Sequence, residues 1–200
     1  VDGGDAVRPG VTAVIASIPP RVGTHLHRAV DSVLQQTRTV DAISISVDHG
    51  RLGSAKNRSR ALSGVGTEWV ALLDDDDEWC PDHVELLMRH AEETGADLVY
   101  PWFTVPEGWD PWPYREGQPF DEALLRTVNY IPITVLVRTE LLWSAGGFTV
   151  KDPANTDSLC DDWGTWEKLL ASGAKFSHLN RRTWIWHWHG GNTSGRPKAW

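Results

Sequence analysis

Four consecutive aspartates, Asp74 to Asp77, follow directly on the apolar run WVALL. Two carboxylates about 4 Å apart repel by roughly 1 kcal/mol even in bulk water, so such a run is most stable around a cation. Carboxylate oxygens select hard divalent ions such as Mg²⁺ or Mn²⁺. The competing use is local, with Asp77 or Glu78 favouring the N-terminus of the helix that follows. A second acidic pair, Asp161-Asp162, stands where a helix begins. One carboxylate can cap that helix while its neighbour serves as general base toward a substrate hydroxyl. His187 and His189 lie two apart and, on a strand, aim both imidazoles the same way. That suits a transition-metal site or an ordinary pair of core or surface histidines. Among the basic residues, Lys56 and Arg58 read as surface charges. Arg21 and Arg51 follow strand ends on the same rim as the aspartates, where they can meet a phosphate.

These groups need elements to hold them. VTAVIASI from Val11 is a continuous apolar, β-branched run, as in a strand covered on both faces, and Pro19-Pro20 end it. Leu26, Ala29, Val30, Val33 and Leu34 recur at helical spacing, which predicts a helix over 25–36. AISISV (42–47) is a second strand, a basic helical stretch carrying Ala55, Ala61 and Leu62 follows, and WVALL (69–73) is a third strand. Pro81 suits the first turn of the next helix, which stops at Gly95. Strand and helix thus alternate three times, the pattern of a parallel sheet with helices on both faces.

ADLVYP (96–101) reads as a fourth strand. Residues 102–119 then hold Pro, Gly and Trp without period, which predicts a binding loop or lid. A helix over 120–128, a strand at ITVLV (133–137) and a Gly146-Gly147-Phe148 turn come next. Asp161-Asp162 open a helix that Gly173 stops, and TWIWHWH alternates as a final strand with Trp184, Trp186 and Trp188 on one face.

With 19 Lys+Arg against 27 Asp+Glu, the net charge of −8 argues against holding nucleic acid or anionic lipid by bulk charge. No apolar run approaches the ~20 residues that cross a bilayer, so a soluble, cytoplasmic protein is expected. Cys80 and Cys160 are too few for a disulfide framework and read as small buried apolar residues. Residues 1–10 read as a flexible lead-in and 11–200 as one domain. The 12 tryptophans are the compositional oddity. Those on helix and strand positions read as packing, whereas Trp102, Trp109 and Trp112 fall on the predicted loop, where an indole can stack on a sugar ring.

In order, VTAVIASIPPR, AVDSVLQQT, SVD, LGSAKNRSRAL, WVALLDDDDEWCPDHVELL, SAGGF, CDDWGTWEKLLASGAKF and WHWHGGNTS resemble the family-two glycosyltransferases of the GT-A fold, over roughly residues 11 to 195. The resemblance implies a single GT-A domain: a Rossmann-like, mainly parallel α/β sheet flanked by helices, with a short antiparallel C-terminal element. It implies a UDP- or GDP-sugar donor, a glycan or other hydroxyl acceptor, a Mn²⁺ or Mg²⁺ cofactor and transfer with inversion. Residue by residue, Ser17, Arg21, Asp48 and Arg51 match positions holding the base, ribose or phosphates. Asp74 to Asp76 match the DXD element, with Asp76 as direct metal ligand and Asp74 or Asp75 making ribose and water-mediated contacts. Gly147 matches the glycine turn beside donor and acceptor. Asp162 matches the catalytic base, Asp161 the acceptor-binding partner that precedes it, and His189 the histidine that returns to the metal or diphosphate.

Two other readings compete. A carbohydrate-binding protein with a structural cation site explains the tryptophans and the aspartates but not the basic rim. A nucleotidyltransferase or metal phosphohydrolase needs a phosphate-cradling glycine loop after the first strand, and Ile18-Pro19-Pro20-Arg21 is not one.

Overall fold

A computed structural model describes residues 8–106, 118–151 and 161–189. In chain order the elements are β1 (Val11–Ser17), α1 (Pro19–Val22), α2 (Leu26–Leu34), β2 (Ala42–Val47), α3 (Ser54–Leu62), β3 (Trp69–Asp74) and β4 (Glu78–Trp79). They continue with α4 (His83–Thr94), β5 (Leu98–Thr104), α5 (Glu122–Thr127), β6 (Leu136–Arg138), α6 (Thr139–Ser144), α7 (Asp161–Ala171) and β7 (Phe176–Ile185). Among the described residues, seven strands form one sheet in the order β2-β1-β3-β6-β5-β7-β4. β1 lies parallel to β2 and β3, and β5 parallel to β7. β6 runs antiparallel between β3 and β5, and β4 antiparallel to β7.

The pleat sends alternate residues to two cores. Val11, Ala13 and Ile15 of β1, with Trp69, Ala71 and Leu73 of β3, pack under α2 and α4 against Ala29, Val33, Val84, Leu87 and Met88. Val14, Val70 and Leu72 face the opposite layer, where α3, α6 and α7 contribute Ala61, Leu62, Leu142, Trp166 and Leu169. Both sheet faces are covered, which is why these strands read as unbroken apolar runs. Trp166 is fully buried because its indole N–H finds the carbonyl of Ile131 at 3.2 Å.

Several boundaries differ from expectation. β6 is short, although Val135 ahead of it still accepts the N–H of Leu72 at 2.9 Å. Leu141 and Leu142 belong to a helix, α6. Pro81 precedes the α4 cap Asp82, and Gly95 ends that helix in the left-handed region (φ 64°) as expected. β7 begins at Phe176 and stops at Ile185; beyond it Trp186 is buried, while His187, Trp188 and His189 are half-buried. β5 runs through Pro101 to Thr104, because its register with β7 shifts at Pro101/Trp102, a bulge that accommodates a residue without an N–H. Trp102 is therefore a strand residue with 0% exposure, stacked on Phe103, rather than the start of a loop. No described helix is long and apolar enough to cross a membrane.

Candidate active site

Three parallel strands end together, and the chain beyond their carboxyl ends forms a cleft of about 250 Å³. Its lining includes Ser17 at the end of β1, Arg21 on α1, Asp48 just after β2, Arg58 on α3, and Asp74, Asp75 and Asp76 at the end of β3. This is where open α/β sheets take ligands.

Each group is held from below. Asn57 of α3 donates its side-chain amide to the carbonyls of Ser17 (2.9 Å) and Ser46 (3.0 Å) and accepts the Ser46 hydroxyl at 2.7 Å, which ties β1 and β2 to that helix. Pro19 and Pro20 start α1, their fixed φ being suited to a first turn, and this turn brings Arg21 inward. Arg21 Nη1 donates to Asp75 Oδ1 at 2.7 Å and lies 2.9 Å from Asp76 Oδ2, while Ser17 Oγ donates to Asp75 Oδ2 at 2.6 Å. Asp48 Oδ2 accepts the Gly53 N–H at 3.0 Å. The backbone N–H groups of Leu52, Gly53 and Gly50 hold this carboxyl below its ordinary range. Asp48 Oδ1 is buried without a hydrogen bond. Arg51 stands exposed on that same turn, with φ 54°.

The aspartate run turns sharply after β3. Its carbonyl at Asp76 accepts Arg28 Nη2 at 2.7 Å. Asp76 Oδ2 lies 2.9 Å from His189 Nε2, and the His189 ring stacks on His25 with centroids 5.1 Å apart. Asp77 is 2% exposed and accepts the His187 N–H at 3.0 Å. The His187 ring reaches Glu78 at 2.6 Å. Carboxylate oxygens of Asp74, Asp76 and Asp77 lie within 4.8 Å of one another. Burial, and then the neighbouring charges of Asp76 and Asp74, hold the Asp77 carboxyl well above its ordinary range. A divalent cation fits this set: the donors are hard oxygens plus one imidazole, and the unfavourable like-charge burial is what a cation relieves.

α7 begins behind Arg58 and Ser54 of that lining. Asp161 is 4% exposed and its two oxygens each take Arg58 Nη1 at 2.5 Å, with Ser54 Oγ adding a donor at 3.1 Å. Arg58 Nη2 meets Asp74 Oδ1 at 2.5 Å. Asp162 Oδ1 accepts the Trp163 N–H at 2.7 Å and the Asn129 side-chain amide at 3.0 Å. Burial, reinforced by the Asp161 carboxylate, pushes the Asp162 carboxyl up to about 6, against the pull of Arg58 and these two donors. Gly146 and Gly147 have φ of 77° and 85°, and a Cβ on Gly147 would sit 2.6 Å from Ser59 Oγ. That hydroxyl accepts the Phe148 N–H at 2.9 Å, so the glycine turn lies directly on α3.

Ser17, Arg21, Asp48, Asp74, Asp75 and Asp76 thus share one cleft, with His189 on Asp76. Asp161 is turned to Arg58, Gly147 to Ser59, and Trp102 is in the core. Trp109 and Trp112 lie outside the described residues. Sequence reasoning missed Arg58, Asn57, Arg28 and Asn129 as site residues. Asn57 and Arg58 do stand in the LGSAKNRSRAL motif, but their partners, like those of Arg28 and Asn129, are 11 to 103 residues away.

A family model described as Glycosyl transferase family 2 matches residues 39–139. The structure of S. aureus TarS residues 1–349 in complex with UDP matches at 14% identity and TM-score 0.67, covering 90% of this chain and 60% of that one. The same fragment without a named ligand matches at 15% identity and TM-score 0.68 over 88% of this chain and 60% of that one. The complex of that fragment with UDP-GlcNAc gives 13% identity and TM-score 0.64 over 92% of this chain and 60% of the other. The chain therefore spans about 60% of the length of the TarS fragments it matches. Curated proteins give no match. At such identities the likeness is one of fold; with half of its length matched by the family model, the chain belongs to glycosyl transferase family 2.

Proposed function

We propose that this chain transfers a sugar from a nucleotide-diphosphate sugar to an acceptor hydroxyl, with inversion at the anomeric carbon and with the help of a divalent cation. The observation that carries the reading is the shared cleft at the carboxyl ends of β1, β2 and β3. It joins Ser17, Asp48, a cation (Arg21) and the acidic turn, and Arg58 and Ser54 of the same lining hold Asp161, the residue before Asp162. The TarS structures that share the fold were solved with UDP and with UDP-GlcNAc, which supports a nucleotide-sugar donor here.

In this reading the unpaired Asp48 oxygen is left for a donor N–H or hydroxyl, and Arg21 and Arg51 face the diphosphate. Asp76, His189 and the neighbouring aspartates hold the cation. When bound, Mn²⁺ or Mg²⁺ supplies positive charge to the leaving diphosphate. The acceptor oxygen forms its bond to the anomeric carbon on the face opposite the breaking bond to the β-phosphate oxygen. The nucleoside diphosphate leaves with the electron pair, and Asp162 takes the acceptor proton. A base held near 6 is ionised at neutral pH and still basic enough to accept it. Asn129 and the Trp163 N–H keep its orientation.

The carbohydrate-binding alternative loses Trp102 as a stacking residue, since that side chain is 0% exposed. Calorimetry with UDP and with GDP, each with Mn²⁺, tests the proposal. A nucleotide-sugar transferase binds one of them, and binding of neither would remove the donor site.

A further inference from the structure

We propose that Arg58 is a positioning residue, a clamp that fastens the start of α7 to the acidic end of β3 and thereby sets where Asp162 stands. The proposal rests on the sugar-transfer reading above.

The sequence gives Arg58 the look of a solvated charge on a basic helix, between Lys56 and Arg60. In the fold its side chain is only 12% exposed and lies between two carboxylates. Nη2 holds Asp74, and Nη1 holds both oxygens of Asp161. A guanidinium is planar and its donors point in fixed directions, so holding two carboxylates fixes the distance and the angle between them. An ammonium is a point charge and cannot impose that angle.

The rest of α3 makes the clamp stiff. Asn57, the preceding residue, is fastened to the carbonyls of both Ser17 and Ser46, so the helix cannot slide along the donor side. Ser54, one turn earlier, adds its hydroxyl to Asp161, and Ser59 takes the N–H of Phe148 after the glycine turn. One helix thus carries connections to five neighbours: β1, β2, β3, the glycine turn and α7.

Asp161 has therefore committed its carboxylate. Of roughly four acceptor directions, three are taken by Arg58 and Ser54. We assign it to holding the helix rather than to the acceptor. Asp162 is the next residue on α7, and fixing Asp161 fixes its direction too.

Arg58→Gln and Arg58→Lys, compared with the wild-type chain, test the clamp. Hydrogen exchange is followed in the 74–77 turn and over the first turn of α7. Turnover of UDP-GlcNAc with Mn²⁺ is followed as transfer or hydrolysis. Faster exchange in both segments is expected for Arg58→Gln, and in at least one for Arg58→Lys, which reaches one carboxylate at a time. The clamp predicts that kcat falls by about 10- to 100-fold, the cost of a misplaced reacting group, and by more than any change in donor KM. Millimolar guanidinium restores part of the rate in Arg58→Gln, which a purely structural loss would not allow. A folded Arg58→Gln variant that exchanges like the wild type in the first turn of α7 would overturn the clamp. If instead the wild-type chain binds neither UDP nor UDP-GlcNAc, the sugar-transfer reading fails, and exchange still decides whether Arg58 joins the two segments.

Discussion

His189 Nε2 lies 2.9 Å from Asp76 Oδ2 although 113 residues separate them in sequence. The segment after β7 thus returns to the acidic turn after β3 and completes it with a nitrogen donor. Asp76→Asn and His189→Ala are each expected to weaken Mn²⁺ binding at least about tenfold in calorimetry, since orienting partners of a metal ligand alone are worth that much. EDTA should stop turnover, with Mn²⁺ or Mg²⁺ restoring it. Full turnover in chelator would remove the cation from the mechanism.

Asp162→Asn should abolish transfer while UDP affinity stays within about threefold of the wild type, about 0.7 kcal/mol. It should also raise stability at neutral pH. The carboxyl moves from an ordinary value of 3.8 to about 6 on folding. Below about pH 4 folded and unfolded chains both hold the proton, and the residue costs nothing. Above about pH 6 both are ionised, and the folded chain carries a penalty of about 1–3 kcal/mol. Asparagine keeps an oxygen for Asn129 and for the Trp163 N–H but never ionises. Thermal melts of the two proteins should coincide near pH 4 and separate as the pH rises to 7, and the wild-type rate should rise through about pH 6. A variant less stable than the wild type at pH 7 would contradict this account.

Gly164 lies inside α7, where alanine ordinarily stabilises by about 1 kcal/mol. Here the opposite is expected, because a Cβ would meet the Thr149 carbonyl oxygen at 2.2 Å and the Lys151 nitrogen at 2.5 Å. These are backbone atoms and cannot rotate away. Chemical denaturation of Gly164→Ala should reveal a loss of more than about 2 kcal/mol, of the size seen for overpacked cores. A neutral or stabilising result would mean that the 149–151 segment yields freely.

Trp102→Ala should cost about 3–5 kcal/mol of stability, the range for truncating a fully buried large aromatic, and should not act through acceptor KM. Its ring is packed against Phe103 and edge-on to His178 within the β5–β7 layer. A stable variant with a raised acceptor KM would return this tryptophan to the binding surface.

Much of the donor half was legible because its determinants are local. Val11 to Ser17 and Trp69 to Asp74 are strand-length, mostly apolar runs and Ala42 to Val47 alternates Ile with Ser, each followed by an amphipathic helix or a turn, and four adjacent aspartates mark the strand end without any tertiary information. The direction of β6 was not legible: a run such as ITVLV is equally apolar whether its neighbours run parallel or antiparallel, and only the geometry of the flanking chain decides. α6 spans six residues, too few to display a helical period. Trp102 reads as loop because it opens a stretch of Pro, Gly and Trp without period, whereas a bulge in the pairing with β7 carries the strand on to Thr104. Arg58 was hidden for a different reason. Its partners stand 16 and 103 residues away, and nothing in the alternation of Lys56, Arg58 and Arg60 distinguishes the one that is buried.

The antiparallel β6 divides the sheet into two parts that draw on the chain differently. On one side β2, β1 and β3 come from a single continuous stretch, with Thr12 paired to Ala42 and Val11 to Trp69. On the other, β5 finds β7 across a long interval, and the bond from the Lys175 N–H to Asp97 spans 78 residues. Closing such a loop carries an entropic penalty that must be met before its contacts reward it. That penalty grows only slowly with length, so the two sides differ little in it, and the β5–β7 pairing is the one that carries His189 back to Asp76. A chain without the β5–β7 pairing would leave the acidic turn without His189.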